Sequence, residues 1–453
     1  MAGIRLTVRS QRVVTPDGLR PAAVHVRDGT IVDVTDHHEI PAGGSLVDAG
    51  TDVVAPGLVD IHVHVNEPGR TGWEGFATAT RAAAAGGVTT LLDMPLNSVP
   101  PTTSVAALEH KRRAAAGKCH VDVGFWGGAV PGNLDDLADL HAAGVFGFKA
   151  FLVDSGVDEF AHVTGIQLER AMSRLAELGA LTLVHAEDTD VIAEAATVWP
   201  TADPRIYATY LSSRPDEAER RAVEQVADIA RRTGGRAHVL HLSSATALAP
   251  LRAAVADGVA LTAETCPHYL ALDAGAVPDG ATAYKCAPPI RDSVNRDRLW
   301  SALADGTLRL VASDHSPCPP DLKCFDTGDF GRAWGGIASL QLGLAVTWTQ
   351  AQARGHGCDD VIGWMSTAPA GLAGLRSKGA LAPGNDADML VWDPDAAWEV
   401  DATALEHRHA VTPYDGACLR GRVTSTYLRG RPVYESGGIV GPATGRLLTK
   451  EPG

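Results

Sequence analysis

"GIQLERAMSRLAELGALTLVHAE", residues 165–187, holds one helix and one strand in that order. The first part carries apolar residues at helical spacing and stops at Gly179. The second is the short apolar run "ALTLV", which ends at His185. The same texture repeats from about residue 56 to about residue 378. Apolar runs recur as "VDIHVHV", "VTTLLDMP", "HVDVGFWGG", "VFGFKAFLV", "ALTLVHAE", "RAHVLHLS", "VALTAETCPH" and "LRLVASDHSP", with helical stretches such as "SVAALEHKRRAAAG" and "DEAERRAVEQVADIARRTGG" between them. Strands alternating with helices imply parallel pairing, and eight such units predict an α/β fold, a closed (β/α)8 TIM-like barrel. A doubly wound open sheet is the competing arrangement, but no GxGxxG follows the first run.

Both ends read differently. "IRLTVRSQRVVTPDG", "AAVHVRDGTIVDVTD" and "SLVDAGTDVVAPG" alternate apolar and polar residues between turn signals, as do "GALAPGNDADMLVWDPD" and "GRVTSTYLRGRPVYESGG" near the other terminus. The expected division is 1–55, 56–378 and 379–453, with the two outer segments pairing into one small β-domain. The formal net charge of -15 offers no basic surplus for nucleic acid or an anionic membrane. No apolar run is long enough to cross a bilayer, and the start lacks the order of a signal peptide. Seven cysteines without CxxC spacing point to a reducing cytoplasm.

Polar residues interrupt the apolar runs at one end of the predicted barrel. His62 and His64 stand two apart, so both side chains should share a face, with Ile61, Val63 and Val65 turned to the helices. His185, His241 and Asp314 each close an apolar run and should reach the C-terminal rim, where barrel active sites form. Imidazoles and a carboxylate gathered there suit a zinc-like ion. Lys149 lies in "GVFGFKAFLV" between Phe148 and Phe151 with no acid nearby in sequence. Burial there favours the neutral amine, which can form a Schiff base or take up carbon dioxide as a carbamate; a rim lysine can also snorkel to water. Four histidines and an aspartate around it favour the carbamate, whose two oxygens can bridge two cations.

This pattern resembles the cyclic amidohydrolases of the amidohydrolase superfamily, which include dihydroorotase, dihydropyrimidinase (hydantoinase) and allantoinase families. Among these branches the stretches "HVNEPGRTGWEGFATATRAAAAGGVTTLLDMPLNSVPPTT", "GFKAFLVDSGVDEF", "ETCPHYL", "KCAPPIR" and "SDHSPCPPDLK" are most similar to the allantoinase family. The resemblance implies a barrel with a small β-sandwich made from both termini. It implies hydrolysis of the hydantoin ring amide of allantoin to allantoate, with no nucleic-acid or membrane partner and a homotetrameric assembly. It also implies two divalent metal ions, zinc first and cobalt, manganese or iron as alternatives. His62, His64 and Asp314 would bind one, His185 and His241 the other, and carbamylated Lys149 and a hydroxide would bridge them. Asp314 would move the proton.

Asn66 follows HxHx where dihydroorotases are expected to carry an arginine for the substrate carboxylate. An amide suits an uncharged ring better, so Asn66 is a candidate substrate contact; it can also cap a strand end, and Arg70 could replace the missing charge. By resemblance, ring-amide contacts fall near Cys286 or Ala287 and near Gly335 or Gly336, with Ser155 and Gly156 as another loop. His268 and His315 are candidates for orienting ligands. Cys318 and Cys324 read as loop thiols.

Overall fold

The computed structural model describes residues 5–199 and 201–450; the strand expected to begin at Ile4 therefore has its first residue outside the described residues. Five strands come first: β1 (Leu6–Thr15), β2 (Gly18–Arg27), β3 (Thr30–Thr35), β4 (Ser45–Asp48) and β5 (Val53–Pro56). The barrel strands follow as β6 (Leu58–Val63), β7 (Val88–Asp93), β8 (Asp122–Phe125), β9 (Gly127–Gly128), β10 (Phe148–Phe151), β11 (Leu181–His185), β12 (Arg236–Val239), β13 (Leu261–Thr265) and β14 (Leu310–Val311). The chain ends with β15 (Met389–Glu399), β16 (Cys418–Leu428), β17 (Arg431–Glu435) and β18 (Gly438–Ile439).

The two termini do pair. One nine-stranded sheet runs β18-β17-β16-β15-β5-β1-β2-β3, with β4 beside β1. Its central joint is antiparallel: Met389 faces Pro56 and Leu390 faces Ala55. A bridge between Thr30 and Asp386 brings the far edge back to the start of β15. The sheet thus folds over a core that includes Val8, Val24, Ile31, Val54, Met389, Val391 and Tyr427.

The barrel strands are parallel throughout, as the alternating units require. β8 and β9 are two halves of the third strand, parted at Trp126, whose indole N–H donates to Ile61 O at 2.8 Å. Closure comes from a parallel bridge between Val63 and His315. Helix ends follow their sequence signals. Thr164 and Gln167 form a reciprocal capping box at Gly165–Glu177. The helix Asp216–Thr233 has Asp216, Glu217 and Glu219 in its first turn and Arg231 and Arg232 in its last.

β6 departs from simple alternation. Its register shifts between Asp60 and Val63. Ile61 consequently joins Leu183, Leu240, Leu310 and Ala312 in one cluster, whereas Val63 and Val65 pack with Phe76 and Leu91 in another. The expectation that all three odd residues face the helices fails for Ile61 because of that slip.

Barrel and sheet are tied together by buried charge. Lys378 Nζ lies 2.7 Å from Asp122, 2.9 Å from Asp386 and 2.5 Å from Asp388, while Arg429 adds a second cation to Asp122 at 2.7 Å. Burial alone would pull the Lys378 ammonium down, but the three carboxylates hold it above its ordinary range.

Candidate active site

The strands deliver their polar residues to one rim. His185 is the last residue of β11, and Lys149 lies inside β10, paired across to Leu183. His241 and Asp314 stand just past β12 and β14, at φ of 37° and 43°. L-residues seldom occupy that left-handed region, so both side chains are aimed by strained turns. His64 lies one residue beyond β6; its N–H donates to His315 O at 2.8 Å, which fixes it against the last strand.

These residues meet in space. His62 Nε2 is 3.1 Å and His64 Nε2 3.6 Å from Asp314 Oδ1. Lys149 Nζ lies 3.3 Å and 3.5 Å from the same two nitrogens. The His62 and His241 rings stand 5.3 Å apart by centroid, and His185 and His241 4.5 Å. Lys149 does have acids near it after folding. Burial lowers its ammonium to about 8, against the attraction of Asp314 and Glu264. Burial likewise raises the Asp314 carboxyl, with Lys149 pulling the other way.

Three carboxylates that the sequence reading passed over hold the imidazoles. Glu264, fully buried on β13, bonds His62 Nδ1 through Oε1 and His238 Nε2 through Oε2 at 3.1 Å. Glu187, also fully buried, accepts from His185 Nε2 at 2.7 Å and from Arg214. Glu74 takes His315 Nε2 at 3.3 Å, while His315 Nδ1 accepts the N–H groups of Ser339 and Leu340. The His315 ring thus hydrogen-bonds none of the six candidate ligands, and His315 holds His64 only through its main-chain oxygen. Among the described residues His268 has no hydrogen-bond partner at either ring nitrogen and so bonds to none of the ligands, although a nitrogen of it, Cys266 Sγ and an Asp314 oxygen lie within 4.8 Å of one another. A usable signal existed for two of the missed groups. Glu187 stands two residues after His185, and Glu264 is the sole charge in the run "VALTAETCPH" before its histidine.

A cavity of about 470 Å³ opens over the cluster, lined by His64, Lys149, His185, His241 and Asp314 on one side. Ser155, Gly156, Ala287, Gly335 and Gly336 also line it, at the positions expected to meet a substrate. Asn66 is placed elsewhere. It sits at φ 66° with its side chain buried and donates to Pro317 O at 3.3 Å, as a residue closing a strand end does. Asn97 lines the cavity instead and approaches His64 Nδ1 at 3.4 Å. Arg70 is committed to Glu159 and to Asn97 O. Cys318 and Cys324 are free thiols.

The sequence profile of the Amidohydrolase family matches residues 53–433, most of the chain. The chain belongs to the amidohydrolase family. Among its relatives in that family, the allantoinase of Streptomyces avermitilis is 55% identical over 453 residues, covering 100% of both chains. The allantoinase of Saccharomyces cerevisiae is 42% identical, covering 94% of this chain and 95% of its own. Among solved structures, the L-hydantoinase (dihydropyrimidinase) from Arthrobacter aurescens superimposes with a TM-score of 0.93 at 30% identity, over 99% of this chain and 100% of that one.

The amidohydrolase-family rim fits divalent cations. Ligand atoms of His62, His64 and Asp314 all lie within 4.8 Å of one another, and all three residues are buried. Burial, the largest influence on each, holds His62, His64, His185 and His241 below the usual imidazole range, hence neutral and able to ligate. His62 and His185 each anchor one ring nitrogen on a carboxylate, which leaves the other for a metal. His241 Nδ1 is buried with no hydrogen-bond partner among the described residues.

Proposed function

We propose that this chain hydrolyses the hydantoin ring amide of allantoin, giving allantoate. The observation that carries the reading is full-length identity of 55% with an enzyme named allantoinase, in a chain where five of the six candidate ligands line one cavity and His62 Nε2 stands 3.1 Å from one of them, Asp314. His62, His64 and Asp314 would hold one divalent ion, and His185 with His241 the second. Zinc is the first choice, with cobalt, manganese and iron as alternatives. Lys149, carbamylated by carbon dioxide, would be shared between the two. When bound, the ions polarise the scissile carbonyl and make water nucleophilic at neutral pH.

The chain's own residues do the rest. Asp314 takes the proton of the attacking water and gives it to the departing ring nitrogen, so the elements of water add across the C–N bond. Glu264 and Glu187 keep His62 and His185 in one tautomer each. Main-chain groups near Ala287 and Gly336, with Ser155, are suited to orient the ring amide from the cavity wall. A small uncharged substrate, no nucleic acid, a cytoplasmic location and a tetramer belong to the same reading. No helix among the described residues is long and apolar enough to cross a membrane.

Hydantoin is the competing substrate, favoured by the close superposition on a hydantoinase. Dihydroorotate is disfavoured. Asn66 carries no charge, and the Arg70 guanidinium that could replace it is already bound to Glu159. The deciding experiment measures allantoate formation by protein loaded with zinc and bicarbonate, beside hydantoin and dihydroorotate. Turnover selective for allantoin is expected; cleavage of another ring with none of allantoin would overturn the substrate assignment.

A further inference from the structure

Two lysines close to the cavity are buried without a carboxylate to pair with among the described residues. Lys285 Nζ donates to Gly331 O at 3.2 Å and to Ala333 O at 2.5 Å. Lys323 Nζ donates to Trp334 O at 3.0 Å and to Gly336 O. Both ammonium groups therefore end on the main chain of a single loop, residues 331–336, every residue of which lines the cavity. The loop is bound back to the same two segments. Gly336 N–H donates to Lys285 O at 2.8 Å, and Trp334 N–H donates to Leu322 O at 2.7 Å. Asp329 closes its entrance by accepting from Gly331 and Arg332 N–H.

Such an arrangement is costly. Burial lowers both ammonium groups, Lys285 to about 8, where the neighbouring charges of Arg214 and Lys323 add to the effect. A loop that needed only filling would be served by an apolar side chain without that penalty. Fixed donors on carbonyls instead hold a precise wall. What the wall presents is polar and aromatic. Arg332 is exposed and forms no ion pair among the described residues, and Trp334 packs edge-on against Trp73 at 4.8 Å. Beside it, a Cβ on Gly156 would lie 3.7 Å from the Trp334 ring, and the neighbouring Asp154 is exposed and lines the cavity. Arg332 and Asp154 both line the cavity, Asp154 with one oxygen on Gly156 N–H, and a guanidinium with a carboxylate matches a planar group that carries both a carbonyl and N–H donors, as a ureido group does.

We propose that Lys285 and Lys323 are positioning residues that hold loop 331–336 so that its 331–334 part forms the subsite for a ureido-type substituent on the substrate ring, an inference that rests on the ring-opening activity proposed above. Lys285→Met, Lys323→Met and Arg332→Ala are compared with the wild type on allantoin and on hydantoin, which lacks the substituent. Amide hydrogen exchange across 331–336 is followed in parallel. The lysine variants are expected to exchange faster in the loop. Their preference for allantoin over hydantoin should fall by about tenfold, mostly through KM. Equal losses on both substrates, as from partial unfolding, or an unchanged ratio would overturn the proposal. Should the lysine variants fail to fold, Arg332→Ala decides on an exposed side chain: a reduced ratio supports the subsite and an unchanged one rejects it. If the wild type leaves allantoin intact, the activity reading fails on its own. Loop exchange then judges the clamp, and unaltered exchange in either folded lysine variant refutes it.

Discussion

Replacing Glu187 by glutamine should separate the cost of a buried charge from the job it does for His185. The side chain is fully buried, accepts from His185 Nε2 at 2.7 Å, and meets the Arg214 guanidinium on the same oxygen. Burial pushes this carboxyl up. The charge of Arg214 and the bonds from His185 and Arg214 more than offset it, bringing the group from its ordinary 4.5 down to about 2. A carboxyl so depressed contributes stability that is fully present above about 4.5 and is lost as pH falls through about 2. The difference corresponds to about 3 kcal/mol at neutral pH. Glutamine keeps the volume and leaves the part-buried Arg214, its side chain 18% exposed, without its counter-charge; fully buried pairs lose about 3–5 kcal/mol on such a change, so the lower end applies here. Urea unfolding of chelator-treated Glu187→Gln at pH 7 should therefore show about 3 kcal/mol less stability than wild type. The gap should narrow as pH is lowered below 4.5. Chelator competition should show metal affinity weaker by about 10–100-fold, since His185 loses its fixed tautomer. A gap that stays constant from pH 7 to pH 3, or metal affinity equal to wild type, would refute this account of Glu187.

Asp314→Asn should lower turnover of allantoin by about 10²–10⁴-fold. Because burial raises the Asp314 carboxyl, the metal-free variant should unfold at no lower temperature than metal-free wild type in calorimetry at pH 7. Lys378→Met would leave Asp122, Asp386 and Asp388 facing one another between sheet and barrel. It should cost about 3–5 kcal/mol in denaturant titration. Gly336→Ala puts a Cβ at 2.2 Å from Ser316 O on a backbone at φ +148°. The shift forced on the loop should lower kcat/KM by about 10²-fold with little change in metal content.

The barrel and its six candidate ligands were legible because both rest on short-range pattern. One helix and one strand repeat along the chain; His185, His241 and Asp314 close apolar runs, and His62, His64 and Lys149 are the polar residues that interrupt them. What escaped depends on distances in space. Lys285 and Gly331 are 46 positions apart, and His62 and Glu264 are 202 apart, so no local periodicity links them. Asn66 misled for a different reason. Its place after HxHx is the same in sequence whether the side chain turns to the cavity or to Pro317 O, and only the left-handed backbone at that residue decides. The slip in β6 is equally silent, since Ile61, Val63 and Val65 are interchangeable as apolar residues.

The strained residues suggest why such a site survives its own cost. Asn97, His241 and Asp314 are three non-glycine residues in the left-handed region that line one cavity. Each conformation of that kind carries about 1–3 kcal/mol of strain. Glycine would relieve it at once, yet His241 and Asp314 must keep their side chains to act, and Asn97 lies against His64 Nδ1. The strain can therefore be removed only together with the group it aims. Stability has to come from parts of the molecule with no role in the reaction, which is where the Lys378 cluster and the antiparallel joint of Met389 to Pro56 are found. Substitutions that strengthen those remote contacts should be tolerated without loss of activity. Substitutions that relax the rim should gain stability and lose turnover together.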